Sequence, residues 1–324
     1  MTSIELLRDL EFCAGWSEGD LRAVAALGSE RQFEADSLLL RQGEPAAEAF
    51  AIAEGTVAVL RALPGGGELA LAEKGPGSLV GEMGLLAEQR RSATARALGR
   101  VRSVVFDRQV FAAACRMRQP AARQLLLAVM ARACIPVRVT QEHLAQALPV
   151  ADAARPTTTP SAPEHFDYRG FLPLLHCAPA LGRAGLDGLV ARASARVLGR
   201  GETLVEPGAL PAGVWLVVRG ALESVASERA EAATLEVLGP GSFAGLPSAL
   251  DGLPASAGVR AREHSLVLHV PQAEFDAVCA GHDDFAFGLL QAIAGQLAHS
   301  LPRLSNRLAQ HTGLRRSQAI LARV

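Results

Sequence analysis

Lysine is all but missing from this 324-residue chain: Lys74 is the only one among 32 Lys and Arg residues, so arginine carries nearly all the positive charge. Set against 33 acidic residues this gives a formal net charge of −1, which leaves no global footprint for nucleic acid or an anionic membrane. The arginine preference reads as the codon bias of a GC-rich genome. Aromatic residues make up only 4% of a chain that is 49% hydrophobic, so its cores must be aliphatic. Cys13, Cys115, Cys134, Cys177 and Cys279 are scattered, odd in number and without CxxC spacing. They read as buried thiols in a reducing compartment, and a disulfide or metal framework is excluded. No stretch approaches ~20 uninterrupted apolar residues, and no signal peptide precedes Glu5. A soluble, cytoplasmic chain without a membrane span is expected.

Catalytic signatures are equally scarce. The eight histidines are dispersed and no pair has zinc spacing. There is no Gly-x-Ser-x-Gly elbow, Walker loop or Rossmann fingerprint. His282-Asp283-Asp284 resembles the paired His-Asp of metal phosphohydrolases, but no distant His or Asp array completes it. The helix expected from there through Leu301 makes a capping role the better reading. Arg315-Arg316-Ser317 reads as a solvated helix end. No catalytic residue, metal site or cofactor is expected, and the chain is not read as an enzyme.

What is present is a repeating pattern of short strands. Ile4–Leu10 and Gly19–Leu27 have helical apolar spacing, with Ser17 and Asp20 placed as a capping box. The period then changes. Runs such as Ser37–Leu40, Ala49–Ile52 and Thr56–Leu60 alternate with turn signals at Gly43-Glu44-Pro45, Glu54-Gly55, Gly65-Gly66-Gly67 and Gly75-Pro76-Gly77, and Val101–Phe106 closes the series. Such spacing predicts a small sandwich or roll. Helices follow: one capped by Asp107, a longer one from Pro120 that Pro136 should kink or end, and a resumption over Thr140–Leu148. Residues 149–165, with Pro and Thr prominent, read as an interdomain linker.

Gly81-Glu82-Met83-Gly84-Leu85-Leu86, followed by Arg91-Ser92-Ala93-Thr94, is the stretch that carries chemistry. Gly81 and Gly84 leave room for a ligand near the backbone. Leu85 and Leu86 can open a short helix whose first N–H groups favour an anion. Arg91 offers a planar fork to a phosphate, Ser92 a hydroxyl, and Glu82 an acceptor for sugar hydroxyls. The array reads as a receptor for a small phosphorylated sugar.

Gly81 to Ala93 closely resembles the phosphate-binding cassette of the cyclic-nucleotide-binding domain family, of the catabolite-activator and protein-kinase-A-regulatory-subunit type. The family pattern is Gly-Glu-apolar-small-Leu-apolar, four variable residues, then Arg-(Ala/Ser/Thr)-Ala. It fits without a gap, and only Arg90 departs from a frequent proline. The resemblance implies that Glu82 binds the ribose 2′-hydroxyl and Arg91 the cyclic phosphate. The N–H groups of Met83, Gly84 and Ala93 would complete the cradle. It also implies that the terminal helix of the domain folds over the cassette toward the base. Ser92 accompanies cyclic GMP in some branches, yet bacterial cyclic-AMP receptors also carry Arg-Ser, so the ligand is cyclic AMP or cyclic GMP with a lean to cyclic AMP.

The second half repeats the first. Gly43 pairs with Gly208 and Gly55 with Gly220 at an offset of 165; Gly75-Pro76-Gly77-Ser78 pairs with Gly239-Pro240-Gly241-Ser242, Gly81 with Gly245 and Ala93 with Ala257 at 164. One residue is lost in the hairpin between. Trp215 falls opposite Phe50 and reads as core. At the charged positions Glu82 becomes Leu246 and Arg91 becomes Ala255, while Ser256 and Ala257 survive. Losing two charge-assisted interactions, each ~1.5–3 kcal/mol, weakens binding by roughly two to four orders of magnitude.

The expected architecture is therefore α+β, mainly β: two tandem jelly-roll-like β-rolls, each flanked by helices. Residues 1–148 form a domain with an intact cassette, 149–165 the linker, 166–312 a degenerate second domain and 313–324 a tail. Too few residues follow Leu301 for a helix-turn-helix, so no nucleic acid partner is expected; the chain begins almost directly with the first helices, which leaves no room for a dimerisation or pseudosubstrate segment, although the tandem arrangement is similar to that of the kinase regulatory subunits. The implied function is a signal-transducing regulatory protein. It would bind cyclic nucleotide in the first domain and relay a conformational change to an unidentified effector protein, alone or as a homo-oligomer. The alternative is a scaffold whose rolls are interaction modules that bind no ligand.

Overall fold

The computed structural model describes residues 3–8, 10–62, 67–148, 167–226 and 233–321. The expected linker at 149–165, Gly65 and Gly66 of the first hairpin and the side chains of Arg315-Arg316-Ser317 lie outside the described residues. The chain divides into two compact units, Met1–Ala133 and Cys134–Val324.

In the first unit, helix α1 (Ser3–Arg8) and helix α2 (Glu18–Ala25) precede the sheets. The capping box is formed: the Asp20 N–H donates to Ser17 Oγ at 3.1 Å, and the Ser17 N–H returns a bond to Asp20 at 3.2 Å. Eight strands follow: β1 (Gly28–Phe33), β2 (Leu38–Leu40), β3 (Glu48–Glu54), β4 (Val57–Ala62), β5 (Glu68–Lys74), β6 (Leu79–Val80), β7 (Thr94–Ala97) and β8 (Val101–Asp107). They pair antiparallel in two four-stranded sheets, ordered β1-β8-β3-β6 and β2-β7-β4-β5. Phe50, Ile52, Val57, Val80, Ala95, Val101 and Val105 fill the space between them, as alternation in short strands requires. Between β6 and β7 comes α3 (Met83–Leu86), and after β8 come α4 (Arg108–Arg116) and α5 (Pro120–Ala147). Asp107 caps α4 by accepting from the N–H groups of Gln109 and Val110 at 2.7 and 3.0 Å.

The second unit is built the same way. Helix α6 (Ala178–Arg192) leads into β9 (Ser194–Leu198), β10 (Thr203–Val205), β11 (Gly213–Arg219), β12 (Leu222–Val225), β13 (Thr234–Leu238) and β14 (Phe243–Ala244). Then come α7 (Leu246–Asp251), β15 (Gly258–Ala261), β16 (Ser265–Pro271), α8 (Gln272–Ala280) and α9 (Asp284–Leu321). The sheets run β14-β11-β16-β9 and β10-β15-β12-β13. The duplication holds down to register: Phe50 lies opposite Val80 and Val105, and Trp215 opposite Ala244 and His269. Even a bulge recurs, after Val59 in one roll and after Ser224 in the other. Trp215 is buried in the second core and stacks on the His269 ring at 4.8 Å. Asp283 accepts from the Ala286 N–H at 2.8 Å, so it caps α9.

One expectation is corrected. Pro136 does not end its helix: α5 is continuous from Pro120 to Ala147, and the Thr140 hydroxyl donates to the Pro136 carbonyl at 2.7 Å. Burial of the helix on both sides of Pro136 offsets the interior proline's cost of ~3 kcal/mol. By length and composition alone α5 is apolar enough to cross a bilayer, as a buried core helix also is, and half of its most apolar stretch is buried. That apolarity is used in packing, by Leu125, Leu126, Val129 and Met130 in the first unit and Val137 and Leu144 in the second. The five cysteines form no disulfide. Burial pushes the Cys13, Cys115 and Cys134 thiols up to about 12.

Candidate functional site

The first cassette hangs between β6 and β7. Gly81 adopts φ +76°, and a Cβ there would lie 2.7 Å from Arg91 Nη1 and 2.8 Å from Leu40 Cδ2. Glycine is thus required twice over, by backbone and by space. Glu82 leads directly into α3, which begins at Met83, two residues before the expected start. Arg91 is fixed by backbone alone. Its Nη1 donates to the Gly81 carbonyl at 3.0 Å and its Nη2 to the Glu48 carbonyl. Its own N–H donates to the Glu44 carbonyl at 2.8 Å, and its carbonyl accepts from the Gly43 N–H at 2.9 Å. Neutral carbonyls orient the guanidinium without neutralising it, so its charge is kept for an anion.

Glu82 and Arg91 sit half-buried at the same turn, and each feels the other. Burial pushes the Glu82 carboxyl up, opposed by a backbone hydrogen bond and by the charges of Lys74, Arg91 and Arg132. Burial likewise pulls the Arg91 guanidinium down, opposed by Glu48, Glu82 and Glu44. Ser92 is exposed, Met83 and Ala93 are half-buried, and Leu85 is buried in its own unit. The Gly84 N–H donates to the Gly81 carbonyl at 3.0 Å, so of the three amides assigned to phosphate by resemblance this one is already engaged within the turn. Sequence reasoning did not find Glu48, whose contribution is a backbone carbonyl that no side-chain pattern reveals. Nor did it find Lys74 or Arg132; that Lys74 is the only lysine was the available signal.

In the second unit the corresponding turn keeps its shape and loses its charge. Gly245 has φ +82°, and a Cβ there would lie 2.7 Å from the Trp215 ring. Leu246, at the Glu82 position, is buried; Ala255, at the Arg91 position, keeps only the backbone exchange, with bonds to Gly208 and Ala209 at 2.7 and 2.9 Å. Ser256 Oγ donates to Gln141 Oε1 of α5 at 2.8 Å, and Ala257 is buried against Val137 and Leu304. Arg260 is committed to Glu223 at 2.6 Å. The basin around Gly245, Leu246, Ala255 and Ser256 retains about 60 Å³, well below the ~300–1,000 Å³ typical of small-molecule sites. Among the described residues no His, Cys, Asp or Glu group could hold a metal ion.

Glu236 closes one side of this basin, accepting from Ser300 Oγ at 2.9 Å and Arg303 Nη2 at 3.1 Å. Burial raises its carboxyl above the ordinary value of 4.5 despite those partners. A group shifted this way favours folding below its unfolded value and loses that contribution as pH rises through its folded one. Glu236→Gln is therefore expected to melt higher than wild type at pH 8, with the gap closing toward pH 4. Calorimetric melting across that range checks it, and a gap that widens in acid would be contrary.

The model of the cyclic nucleotide-binding domain matches residues 30–118 and 195–282, more than half the chain and one match in each roll. The chain belongs to the cyclic nucleotide-binding domain family, with two such domains in tandem. A Rhodopseudomonas palustris protein that carries the name of a potassium channel protein is 31% identical over 121 residues, 32% of this chain and 27% of that one. The chain thus spans about a quarter of the length of that relative. Among solved structures, the N-terminal domain of a transcriptional regulator from Streptomyces coelicolor A3(2) is 29% identical, covering 39% of this chain and 91% of that one at a TM-score of 0.35. A regulatory subunit of a cAMP-independent protein kinase A from Trypanosoma brucei is 17% identical over 86% of each chain, at a TM-score of 0.32.

Proposed function

We propose that the first domain, residues 1–148, is a receptor for cyclic AMP or cyclic GMP. In this reading the protein is a cytoplasmic, non-enzymatic regulator that relays nucleotide binding to an effector protein. Arg91 meets the cyclic phosphate and Glu82 the ribose 2′-hydroxyl, with Gly81, Met83, Gly84, Leu85, Ser92 and Ala93 shaping the cradle. The observation that carries this is the Arg91 guanidinium held on two backbone carbonyls beside Glu82, a charge positioned but not neutralised. The second domain, residues 166–312, binds no nucleotide, because Leu246 and Ala255 offer no charge and the basin is filled. Desolvating a cyclic phosphate without a cation is costly, and amides alone offset only part of that.

Calorimetry of the purified chain with each nucleotide tests both halves of the reading. One site per chain is expected at ligand concentrations well above the first dissociation constant. Two comparable sites would overturn the assignment of the second domain. No heat with either nucleotide would overturn the receptor and favour the scaffold.

A further inference from the structure

Helix α6 uses two of its faces. One meets α9: a Cβ at Gly188 would lie 2.8 Å from the Phe285 ring, and Leu181 and Leu189 are buried on this side. On the other face Leu186 and Val190 are only half-buried. They border a cavity of about 630 Å³, shared with Arg169 and Leu172 of the short turns Tyr168–Gly170 and Leu172–Leu174. That volume falls within the ~300–1,000 Å³ of small-molecule sites.

The first half of the chain shows what this face looks like when it is closed. Ser29 and Ser194 hold the same register, opposite Val105 and His269. At that offset of 165, α2 is the counterpart of residues 183–190 of α6, with Leu21 matching Leu186 and Val24 matching Leu189. Helix α2 is finished locally: Ser17 caps it, Leu21 is buried, and Glu18 pairs with Arg22 at 2.7 Å. In α6 each of these is undone. Gly182 stands at the cap position with φ +63° and ψ 178°, which breaks the helix, and nothing lies within 4 Å of a Cβ there. Arg183 and Asp187 stand where Glu18 and Arg22 form their pair, with the signs reversed, and they do not close on each other. Among the described residues the side chains of Arg169, Arg183 and Asp187, all three lining the cavity, have no hydrogen-bond or ion-pair partner. Elsewhere in the unit Arg196 is paired with Glu202 at 2.9 Å and Arg260 with Glu223 at 2.6 Å. A cation in the first turn after the break also opposes the helix dipole, so Arg183 does not serve its own helix.

We propose that this cavity binds a small amphipathic carboxylate, its apolar body against Leu172, Leu186 and Val190 and its carboxylate on Arg183 and Arg169. Two guanidiniums and one carboxylate leave a single positive charge, which a monoanion neutralises. A phosphate dianion would overshoot that balance and face Asp187 as a like charge. The planar fork of arginine matches a carboxylate, and the ligand's apolar body covers surface that Leu21 buries within its own unit in the first half. The site does not rest on the nucleotide reading of the first domain.

Calorimetry of the full chain with decanoate tests it, with decanol and decyl phosphate as head-group controls. Decanoate should bind once per chain, and decanol and decyl phosphate each about tenfold more weakly or worse. Arg183→Gln and Arg169→Gln should each weaken decanoate about tenfold, and Leu186→Trp should abolish binding by filling the cavity, with circular dichroism confirming the fold of each variant. Asp187→Asn, which raises the site's charge to two, should narrow the gap between decyl phosphate and decanoate. Absence of decanoate binding to the wild type overturns the site. Equal affinity for decanol overturns the role of the two arginines. Wild-type affinity in a folded Arg169→Gln/Arg183→Gln double variant places decanoate elsewhere on the chain and overturns the assignment.

Discussion

Arg91→Ala should weaken cyclic-nucleotide binding about a hundredfold or more and leave the first roll folded. The guanidinium is the one side chain of the cassette that can meet a phosphate with charge and a planar fork together. Losing it removes interactions of ~1.5–3 kcal/mol and leaves the ligand's charge desolvated against neutral amides, which adds to the deficit. The fold should tolerate the change, because Arg91 keeps its backbone bonds to Gly43 and Glu44 whatever its side chain. The two carbonyls it vacates belong to Gly81 and Glu48, both half-buried, and regain water. Glu82→Ala should cost less, about tenfold, since it removes one acceptor and also relieves a carboxylate that burial disfavours. Calorimetry gives the affinities, and circular dichroism confirms folding. Wild-type affinity in a folded Arg91→Ala protein would remove the cassette from the account.

Much of this was legible in the sequence because glycines mark backbone geometry that other residues resist. Gly81 and Gly245 both carry positive φ beneath a crowded Cβ position, so their offset located the same turn twice. Phe50 and Trp215 could be matched because a repeated register puts the same side chain inward. The course of α5 was less accessible. Its apolar residues run on nearly every side, a pattern that says the helix is buried but not against which roll. Pro136 pointed to a break, yet tertiary packing overrode the local penalty. Arg138 is one arginine of an arginine-rich chain. Its partner Asp251 lies more than a hundred residues away, and no local spacing connects them.

Leu246→Glu, which restores the missing carboxylate to the second cassette, should create no second binding site and should destabilise that unit by about 3 kcal/mol at neutral pH. Leu246 is buried at the start of α7, within a basin of about 60 Å³. A carboxylate placed there loses its water and finds no cation to meet it: Arg138 is already bonded to Asp251 at 2.6 Å, and Arg260 to Glu223 at 2.6 Å. Adding Ala255→Arg supplies a partner for the charge but not the space for a nucleotide, so the double variant should recover part of the stability and still bind one ligand. Acid should rescue the single variant. Burial raises a carboxyl's folded pKa, so the cost is absent below the unfolded value of ~4.3 and grows as pH rises through the folded one. Melting temperatures of wild type and Leu246→Glu should therefore converge near pH 4 and separate by several degrees at pH 8. A second calorimetric site in the double variant would mean that the basin opens on demand, and an unchanged melting temperature at pH 8 would mean that water reaches Leu246 freely; either result would contradict a second cassette filled by its own chain.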